Sequence, residues 1–199
     1  MEQTSVNLTC PGCGGGLDPV AKYCDYCGRP VVIRSFTSVY DATPQELNKL
    51  ALSSKKYAED HPDDPEISQL NFSAASCFLK LKLYDKAIES FEKAIADNFD
   101  YADAYFYAAI ALLRGKRPFV IPHNDIKKVI EYLNAATMVE PKGIYYYLLS
   151  YVKKDFYEKK FLKISPNSQE ELSAAVMNNV TQEDIRMLFE LLGQPATEI

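Results

Sequence analysis

Residues 84–97 read YDKAIESFEKAIAD, and the spacing of the apolar side chains in this stretch determines how it folds. The apolar residues stand at positions i, i+3, i+4, i+7, i+10 and i+11, which places them on one face of an α-helix. They are Tyr84, Ala87, Ile88, Phe91, Ala94 and Ile95. A helix with one apolar face buries that face against a neighbour, so the stretch predicts packing of helices on helices.

This pattern recurs at regular intervals along the chain. The apolar stripe returns 42 residues later, in Ile126, Val129, Ile130, Leu133, Ala136 and Thr137. The residues that precede it also repeat, because Ala74, Ala75, Phe78 and Leu79 correspond, 34 residues on, to Ala108, Ala109, Leu112 and Leu113. Paired helices with a period near 34 residues are typical of tetratricopeptide arrays.

The chain resembles tetratricopeptide (TPR) proteins in the small and large residues through which the two helices of a repeat pack together. In residues 68–101 these positions hold Ala75, Phe78, Ala87, Phe91 and Ala94. In residues 102–143 they hold Ala109, Leu112, Val129, Leu133, Ala136 and Pro141. The resemblance implies an α-solenoid in which the first helix of each repeat lines a concave surface.

Two departures from the TPR pattern are visible. The tryptophan expected early in the first helix is Asn71 in one repeat and Tyr105 in the next. The second repeat also carries an eight-residue insertion within residues 115–124, where two prolines and a glycine exclude a continuous helix. Since exposed apolar triplets are uncommon, we expect residues 119–121 of this insertion, Phe119, Val120 and Ile121, to fold back on the helices.

Further helices are predicted on both sides of the two repeats. Thr43-Pro-Gln-Glu46 reads as a capping box with proline at the first helical position. A tyrosine-rich stretch predicts one long helix from Gly143 to about Lys160. Ser168-x-x-Glu171 and Thr181-x-x-Asp184 each open a shorter helix, and Gly193 ends the last one. The count is about eight helices.

Four of the five cysteines lie in two Cys-x-x-Cys pairs near the N-terminus. Cys10 and Cys13 form the first pair, Cys24 and Cys27 form the second, and a glycine follows each pair. Two residues between the cysteines let both sulfurs face one ion, and the glycine adopts the positive φ that closes the turn. Two such pairs complete a tetrahedral shell of four thiolates, which predicts a closed structural metal site.

The cysteine-rich stretch resembles the zinc ribbons of bacterial proteins, in which two such knuckles face each other. The resemblance implies one structural Zn²⁺ and short β-strands that are unstable without it. Iron in a rubredoxin-like site uses the same four ligands, and we expect zinc because of its ligand geometry and lack of redox chemistry. The expected organisation is a zinc ribbon in residues 1–33, a connector in residues 34–42 and a TPR-like α-solenoid in residues 43–199.

Composition and charge exclude several classes of protein. A hydrophobic content of 47% is too high for a disordered chain. The net charge of −5 argues against a general binder of nucleic acid or anionic membranes. Residues 1–9 lack the basic start and apolar stretch of a signal peptide, and no apolar run approaches the about 18 residues of a membrane span. We therefore expect a cytoplasmic protein with no membrane insertion.

Candidate catalytic groups are few. His61 lies at a predicted helix end and His123 in the insertion, and neither has a nucleophile near it in the sequence. Cys77 stands among apolar residues of a predicted helix, where a buried and inert thiol is the ordinary outcome. We therefore expect no enzymatic activity and name no catalytic residue.

The expected concave surface offers aromatic and aliphatic side chains, which suit an apolar peptide or an amphipathic helix. The candidate partner-binding residues are Phe72, Phe106, Ile110, Tyr145, Leu148 and Val152. The last predicted helix carries an apolar face of its own, made of Ile185, Leu188, Phe189 and Leu192. That face could fill the groove or cap the final repeat, and we expect it to be used within the chain rather than by a partner.

The leading hypothesis is a non-catalytic adaptor that joins a structural zinc site to an apolar TPR groove and binds another protein. The alternative is a nucleic-acid-associated accessory protein that uses the ribbon or residues 153–163, where lysines alternate with aromatic residues. The alternative is less favoured because residues 1–34 carry equal numbers of cationic and anionic side chains.

Overall fold

Eight α-helices account for most of the chain in the computed structural model, which describes residues 8–10, 13–17, 21–33, 36–39 and 42–195. In chain order they are α1 (Pro44–Asp60), α2 (Ile67–Lys80), α3 (Tyr84–Asp97), α4 (Ala102–Leu113), α5 (His123–Val139), α6 (Gly143–Val152), α7 (Ser168–Met177) and α8 (Gln182–Leu192). The mainly α fold and the number of helices predicted from the sequence are confirmed. Among the described residues, none of the helices has both the length and the apolar character needed to span a membrane.

The first seven helices pack mainly on their neighbours in the chain. The pairs α2–α3, α4–α5 and α6–α7 form a TPR-like solenoid, and α1 packs against α2. We refer to α2, α4 and α6, the first helix of each pair, as the A helices.

All but one of the residues predicted to join the two helices of a repeat are buried, and the exception is Pro141, which is exposed in the turn before α6. In the first pair the buried residues are Ala75, Phe78, Ala87, Phe91 and Ala94, and in the second Ala109, Leu112, Val129, Leu133 and Ala136. Small side chains let the helices approach closely, and the large ones fill the space opposite. Asn71 stands where the TPR pattern has tryptophan, and its Nδ2 donates to Oδ2 of Asp97 at 2.8 Å.

Helix capping follows the sequence with one correction. The boxes Thr43–Glu46 and Thr181–Asp184 open α1 and α8 as predicted. The cap of α7 is Asn167, paired with Glu170, one residue before the predicted Ser168 and Glu171. The shift has a physical cause, because the carboxylate of Glu171 is buried and accepts a hydrogen bond from Lys153 instead of capping the helix.

The long helix predicted from Gly143 to Lys160 changes its winding part-way. The α-helix ends at Val152, a π-helical turn covers Lys153–Tyr157, and a 3-10 turn covers Glu158–Lys160. The π turn contains the buried carboxylate of Asp155, which accepts hydrogen bonds from Lys159, Arg117 and the backbone N–H of Phe119. Desolvation raises the pKa of Asp155, but these donors outweigh it and hold the pKa below its ordinary value.

The N-terminal residues form little regular structure. Strand β1 (Leu8–Thr9) pairs antiparallel with β2 (Gly16–Leu17), and a single antiparallel bridge joins Tyr23 to Pro30. Residues Phe36–Val39, which lie in the predicted connector, form a 3-10 turn. Phe36 and Val39 are buried, and the ring of Phe36 stacks on Tyr107 with centroids 4.6 Å apart. We refer to the described residues between 8 and 33 as the cysteine segment.

Candidate metal centre and helix groove

The two cysteine pairs fold into knuckles with the same hydrogen bonds. In the first, the N–H of Cys10 donates to the carbonyl of Gly15 at 2.7 Å, and that of Gly14 donates to Cys10 at 2.8 Å. In the second, the N–H of Cys24 donates to Arg29 and that of Gly28 to Cys24, both at 2.8 Å. Gly14 and Gly28 have φ values of 72° and 73°, so each turn needs the left-handed conformation that glycine adopts without strain.

The knuckles bring all four sulfurs together. The Sγ atoms of Cys10, Cys13, Cys24 and Cys27 lie within 4.8 Å of one another. Sγ of Cys10 is 3.7 Å from Sγ of Cys27, and Sγ of Cys13 is 3.6 Å from that of Cys24. A tetrahedral site with metal–sulfur bonds of about 2.3 Å has sulfurs about 3.8 Å apart, whereas a disulfide bond measures about 2.05 Å. The four cysteines can therefore hold one metal ion.

The electrostatics of the thiols also fit a cation. The N–H of Cys27 makes the largest contribution to lowering the pKa of the Cys24 thiol, which falls to about 7. At Cys27 the N–H of Arg29 lowers the pKa, but desolvation and the neighbouring thiols raise it to about 12. Four thiolates so close together repel one another, so the full set ionises only with a cation between them. Soft thiolate donors in this number suit zinc or iron.

Arg29 joins the second knuckle to the helices. Its guanidinium is buried, with Nη2 2.7 Å from Oδ1 of Asp64 and Nε 3.0 Å from Oδ2. Nη2 also lies 3.1 Å from the carboxylate of Glu66, and the guanidinium carbon lies 5.8 Å from the centre of the Tyr57 ring. The hydrogen bonds from Arg29 hold the pKa of Asp64 below its ordinary value. Side chains at the end of α1 and the start of α2 therefore enclose this one cation.

Other contacts dock the cysteine segment along α1 and α2. Nζ of Lys22 lies 2.6 Å from Glu46 at the exposed start of α1. The hydroxyl of Tyr23 accepts from Ser53 at 3.1 Å, and the N–H of Ile33 donates to Ser73 at 2.6 Å. The ring of Tyr26 covers Gly15 of the other knuckle while staying largely exposed.

The six residues predicted to line the groove are all buried in this structure. Phe72 packs among the rings of Phe91, Tyr101 and Tyr107. The rings of Phe106 and Tyr145 lie 4.8 Å apart, and Ile110, Leu148 and Val152 belong to the same apolar cluster. These side chains do not line an open surface here, and their use by a partner stays a prediction.

Helix α8 lies against the A helices. It packs on α4 and α6, where Phe189 meets the rings of Tyr147 and Tyr151. Glu190 pairs with Lys80 at the end of α2, with 3.6 Å between Oε1 and Nζ. Leu188, Phe189 and Leu192 are buried, so the apolar face of α8 is used within the chain, as expected. Because α8 contacts all three A helices, it does more than cap the final pair.

The groups considered for catalysis are separated. The ring of His61 stacks on Tyr57 at 4.0 Å, and His123 stacks on Phe156 at 5.5 Å. Cys77 is fully buried in α2, and burial raises the pKa of its thiol to about 12. None of these three residues contacts another of them in the part of the chain that the structure describes.

Sequence reasoning missed the long-range ion pairs that fix these elements, each of which has at least one buried member. Arg29 pairs with Asp64 across 35 residues, Asp155 with Arg117 across 38, and Lys153 with Glu171 across 18. No local pattern links residues so far apart in the chain. The available sequence signal is weak. One member of each pair lies near a turn or helix start that the sequence marks: Arg29 after Gly28, Arg117 in the insertion and Glu171 at the predicted start of a helix.

Comparisons with known proteins give little further information. No protein-family model matches the sequence, and a search of curated proteins finds no match. Among solved structures, the chain is similar to one described as "Crystal structure of MamA", with 19% sequence identity and a TM-score of 0.46. The similarity covers 73% of this chain and 85% of that chain. The TPR-like fold is therefore assigned from the helix pairs described above.

Proposed function

We propose that this chain is a non-catalytic adaptor that binds an amphipathic helix of a partner protein on its A helices. The packing of α8 supports this proposal, because Leu188, Phe189 and Leu192 already place an amphipathic helix on that surface. A partner helix with the same spacing of apolar residues could take the place of α8. Helix α8 would then lower the apparent affinity for a partner, because the partner must displace α8 to bind.

We further propose that Cys10, Cys13, Cys24 and Cys27 hold one structural Zn²⁺. Supporting this are the four-thiolate shell and the sulfur separations of 3.6 and 3.7 Å. Such a closed shell leaves no position for water or substrate. The ion would hold the knuckles together and so present Arg29 and Tyr23 to the helices.

Competition with a peptide of residues 180–195 tests the adaptor function. The bait is the full chain with Leu188→Ala and Phe189→Ala, which weaken the docking of α8. We expect this bait to retain partner proteins and to release them when the peptide is added. The unsubstituted chain should retain a smaller amount of the same proteins. The matched control bait carries Arg186→Ala, on the exposed face of α8.

A second peptide makes this experiment specific. A 180–195 peptide with the same two alanines should elute nothing, because it lacks the apolar side chains that pack on the A helices. The adaptor proposal fails if no retained protein is released by the native peptide, or if both peptides release the same proteins. Circular dichroism of the bait checks that its helices remain folded.

A further inference from the structure

The solenoid separates its charges between two edges. Three segments, each of which follows the end of an A helix, form a surface that we name the basic edge. They are residues 80–86, 114–120 and 158–163. They contain nine Lys and Arg residues against two acidic ones, Asp85 and Glu158. The turns at the other ends of the A helices contain nine Asp and Glu residues and one lysine. These turns are residues 59–66, 97–103 and 140–142. The net charge of −5 conceals this separation.

Contacts between its three segments show that the basic edge is continuous. Nη2 of Arg114 pairs with Oδ1 of Asp85 at 2.6 Å, which joins the first segment to the second. Nζ of Lys160 lies 4.9 Å from the centre of the Phe119 ring, which joins the second to the third. Arg117 also reaches the buried carboxylate of Asp155 beside the third segment.

Helix dipoles do not explain the separation. The C-terminus of a helix favours cations and the N-terminus favours anions. The connections after α2 and α4 each contain the C-terminus of one helix and lead to the N-terminus of the next, so the dipoles favour neither sign there. Salt bridges explain part of it, because Lys80 pairs with Glu190, Arg114 with Asp85, and both Arg117 and Lys159 with Asp155. The exposed cations Lys82, Lys116 and Lys163 call for another cause.

The basic edge also exposes large apolar side chains. The exposed fractions are 95% for Phe161, 64% for Val120, 44% for Leu162, 42% for Phe119 and 40% for Leu83. The sequence predicted that Phe119, Val120 and Ile121 fold back on the helices. That prediction holds for Ile121, which is buried, and is wrong for the other two.

Partly buried hydrogen bonds to Asp155 hold the insertion in place. The carboxylate of Asp155 accepts from the N–H of Phe119 at 2.9 Å and also from Arg117 and Lys159. Nζ of Lys160 lies 3.7 Å from the centre of the Phe156 ring. The chain thus fixes this loop against the π turn, and it does so while leaving Val120 in solvent.

We propose that the basic edge docks on the surface of an anionic lipid bilayer, with Phe161, Leu162 and Val120 inserted among the headgroups. Exposed cations beside apolar side chains are the combination that anionic membrane surfaces bind. Single-stranded nucleic acid fits less well. Leu162 and Val120 cannot stack on bases, and Lys160 already lies over the ring of Phe119.

Vesicle co-sedimentation of the full, metal-loaded chain tests this proposal. The vesicles are phosphatidylcholine with about 30 mol% phosphatidylglycerol, and the control vesicles are phosphatidylcholine alone. We expect binding to the anionic vesicles only, weakened at least about tenfold between about 0.1 and 0.5 M salt. Equal binding to both vesicles, or no binding to either, would overturn the proposal.

Two sets of variants locate the surface. Lys116→Ala with Lys163→Ala should weaken vesicle binding about 25-fold, since each cation near the membrane accounts for about fivefold. Lys56→Ala with Lys93→Ala removes the same charge from α1 and α3 and should change binding less than about twofold. If this control pair weakens binding as much as the first pair, the basic edge is not the docking surface.

A third variant separates membrane insertion from general attraction of polyanions. Phe161→Ala should weaken vesicle binding about fivefold, because interfacial binding scales with the apolar area that is buried. Its side chain is 95% exposed, so the variant should keep the melting temperature of the unsubstituted chain. Unchanged vesicle binding by this variant contradicts insertion. Tighter binding of a single-stranded RNA oligonucleotide than of the vesicles would favour a nucleic-acid surface instead.

Discussion

The cysteine segment and the helical array are held together in different ways. In the array, the described helices contribute to one apolar cluster that runs from α1 to α8. In the cysteine segment, the regular structure is one pair of two-residue strands and one isolated bridge, and Cys10, Cys24, Arg29, Pro30 and Ile33 are buried. So little buried surface cannot offset the conformational entropy lost on ordering the segment.

We therefore expect the two regions to be stabilised differently, the cysteine segment by a metal ion and the array by its apolar core. The four sulfurs of the cysteine segment lie within 4.8 Å of one another, and a metal ion bound between them would supply most of its stability. The array needs no ion, because its alternating small and large residues fill the space between helices. The two regions meet at Ile33, which belongs to the apolar cluster of the helices, and at a few polar contacts that include the buried Arg29.

Removal of two metal ligands should have the largest effect. We expect Cys10→Ser with Cys24→Ser to abolish the binding of about one metal ion per chain, since a structural zinc ion contributes about 10–16 kcal/mol of apparent binding free energy. Elemental analysis of the purified chain measures this. Cys77→Ala is the control, because Cys77 is buried in α2 and should leave the metal content unchanged. A double variant that retains the metal would rule out the proposed ligand set.

Truncation of a core ring should destabilise the array and leave the metal in place. Phe91 is fully buried, so Phe91→Ala should lower the free energy of unfolding by about 4 kcal/mol. Urea unfolding followed by circular dichroism measures the change. Phe161→Ala removes an exposed ring and should change the free energy by less than about 0.5 kcal/mol. Equal midpoints for the two variants would contradict the assignment of the core.

Loss of the buried cation that joins the regions should have an intermediate effect. Arg29→Met leaves the carboxylates of Asp64 and Glu66 without this partner, so we expect a loss of about 3 kcal/mol of stability. The control is Lys22→Met, which removes an exposed cation of the same segment and should shift the urea midpoint much less. If the two variants shift the urea midpoint equally, Arg29 does not stabilise the junction between the two regions.

The smallest effect concerns the exposed pair at the start of α1. The Lys22 hydrogen bond, and next those within the capping box, lower the pKa of Glu46 from 4.5 to about 2. Because the folded pKa lies below the unfolded one, ionised Glu46 stabilises the fold above about pH 4.5, and this contribution is lost as the pH falls towards 2.

The pH dependence of one variant checks this assignment. Glu46→Gln should melt slightly below the unsubstituted chain at pH 7, and the difference should narrow as the pH falls below about 4.5. The metal site protonates in both proteins, so the difference between their melting temperatures is the informative quantity. A difference that widens in acid would be inconsistent with the lowered pKa.

The sequence predicts what depends on local spacing. The stripe from Tyr84 to Ile95 was enough to predict a helix, and its recurrence predicted the array of helix pairs. The two Cys-x-x-Cys-Gly turns predicted both the four-sulfur cluster and the positive φ of Gly14 and Gly28. In each case the repeated unit itself, an apolar stripe or a Cys-x-x-Cys-Gly turn, lies within a few turns of the chain.

Features that depend on distant partners could not be predicted. The π turn at Lys153–Tyr157 surrounds Asp155, whose partner Arg117 lies 38 residues away. The same contact fixes the insertion and leaves Phe119 and Val120 exposed, against the sequence prediction. The contact of α8 with all three A helices likewise depends on tertiary packing that its own apolar face does not reveal.

Hydrogen exchange of the full chain before and after metal removal tests the central comparison most directly. After treatment with a chelator and a thiol-reactive reagent, we expect rapid exchange across residues 21–33 and retained protection across residues 67–192. The residues around Asp64 should gain exchange through the loss of Arg29. Loss of protection across the whole array, or retained protection of the cysteine segment without its metal, would contradict the account.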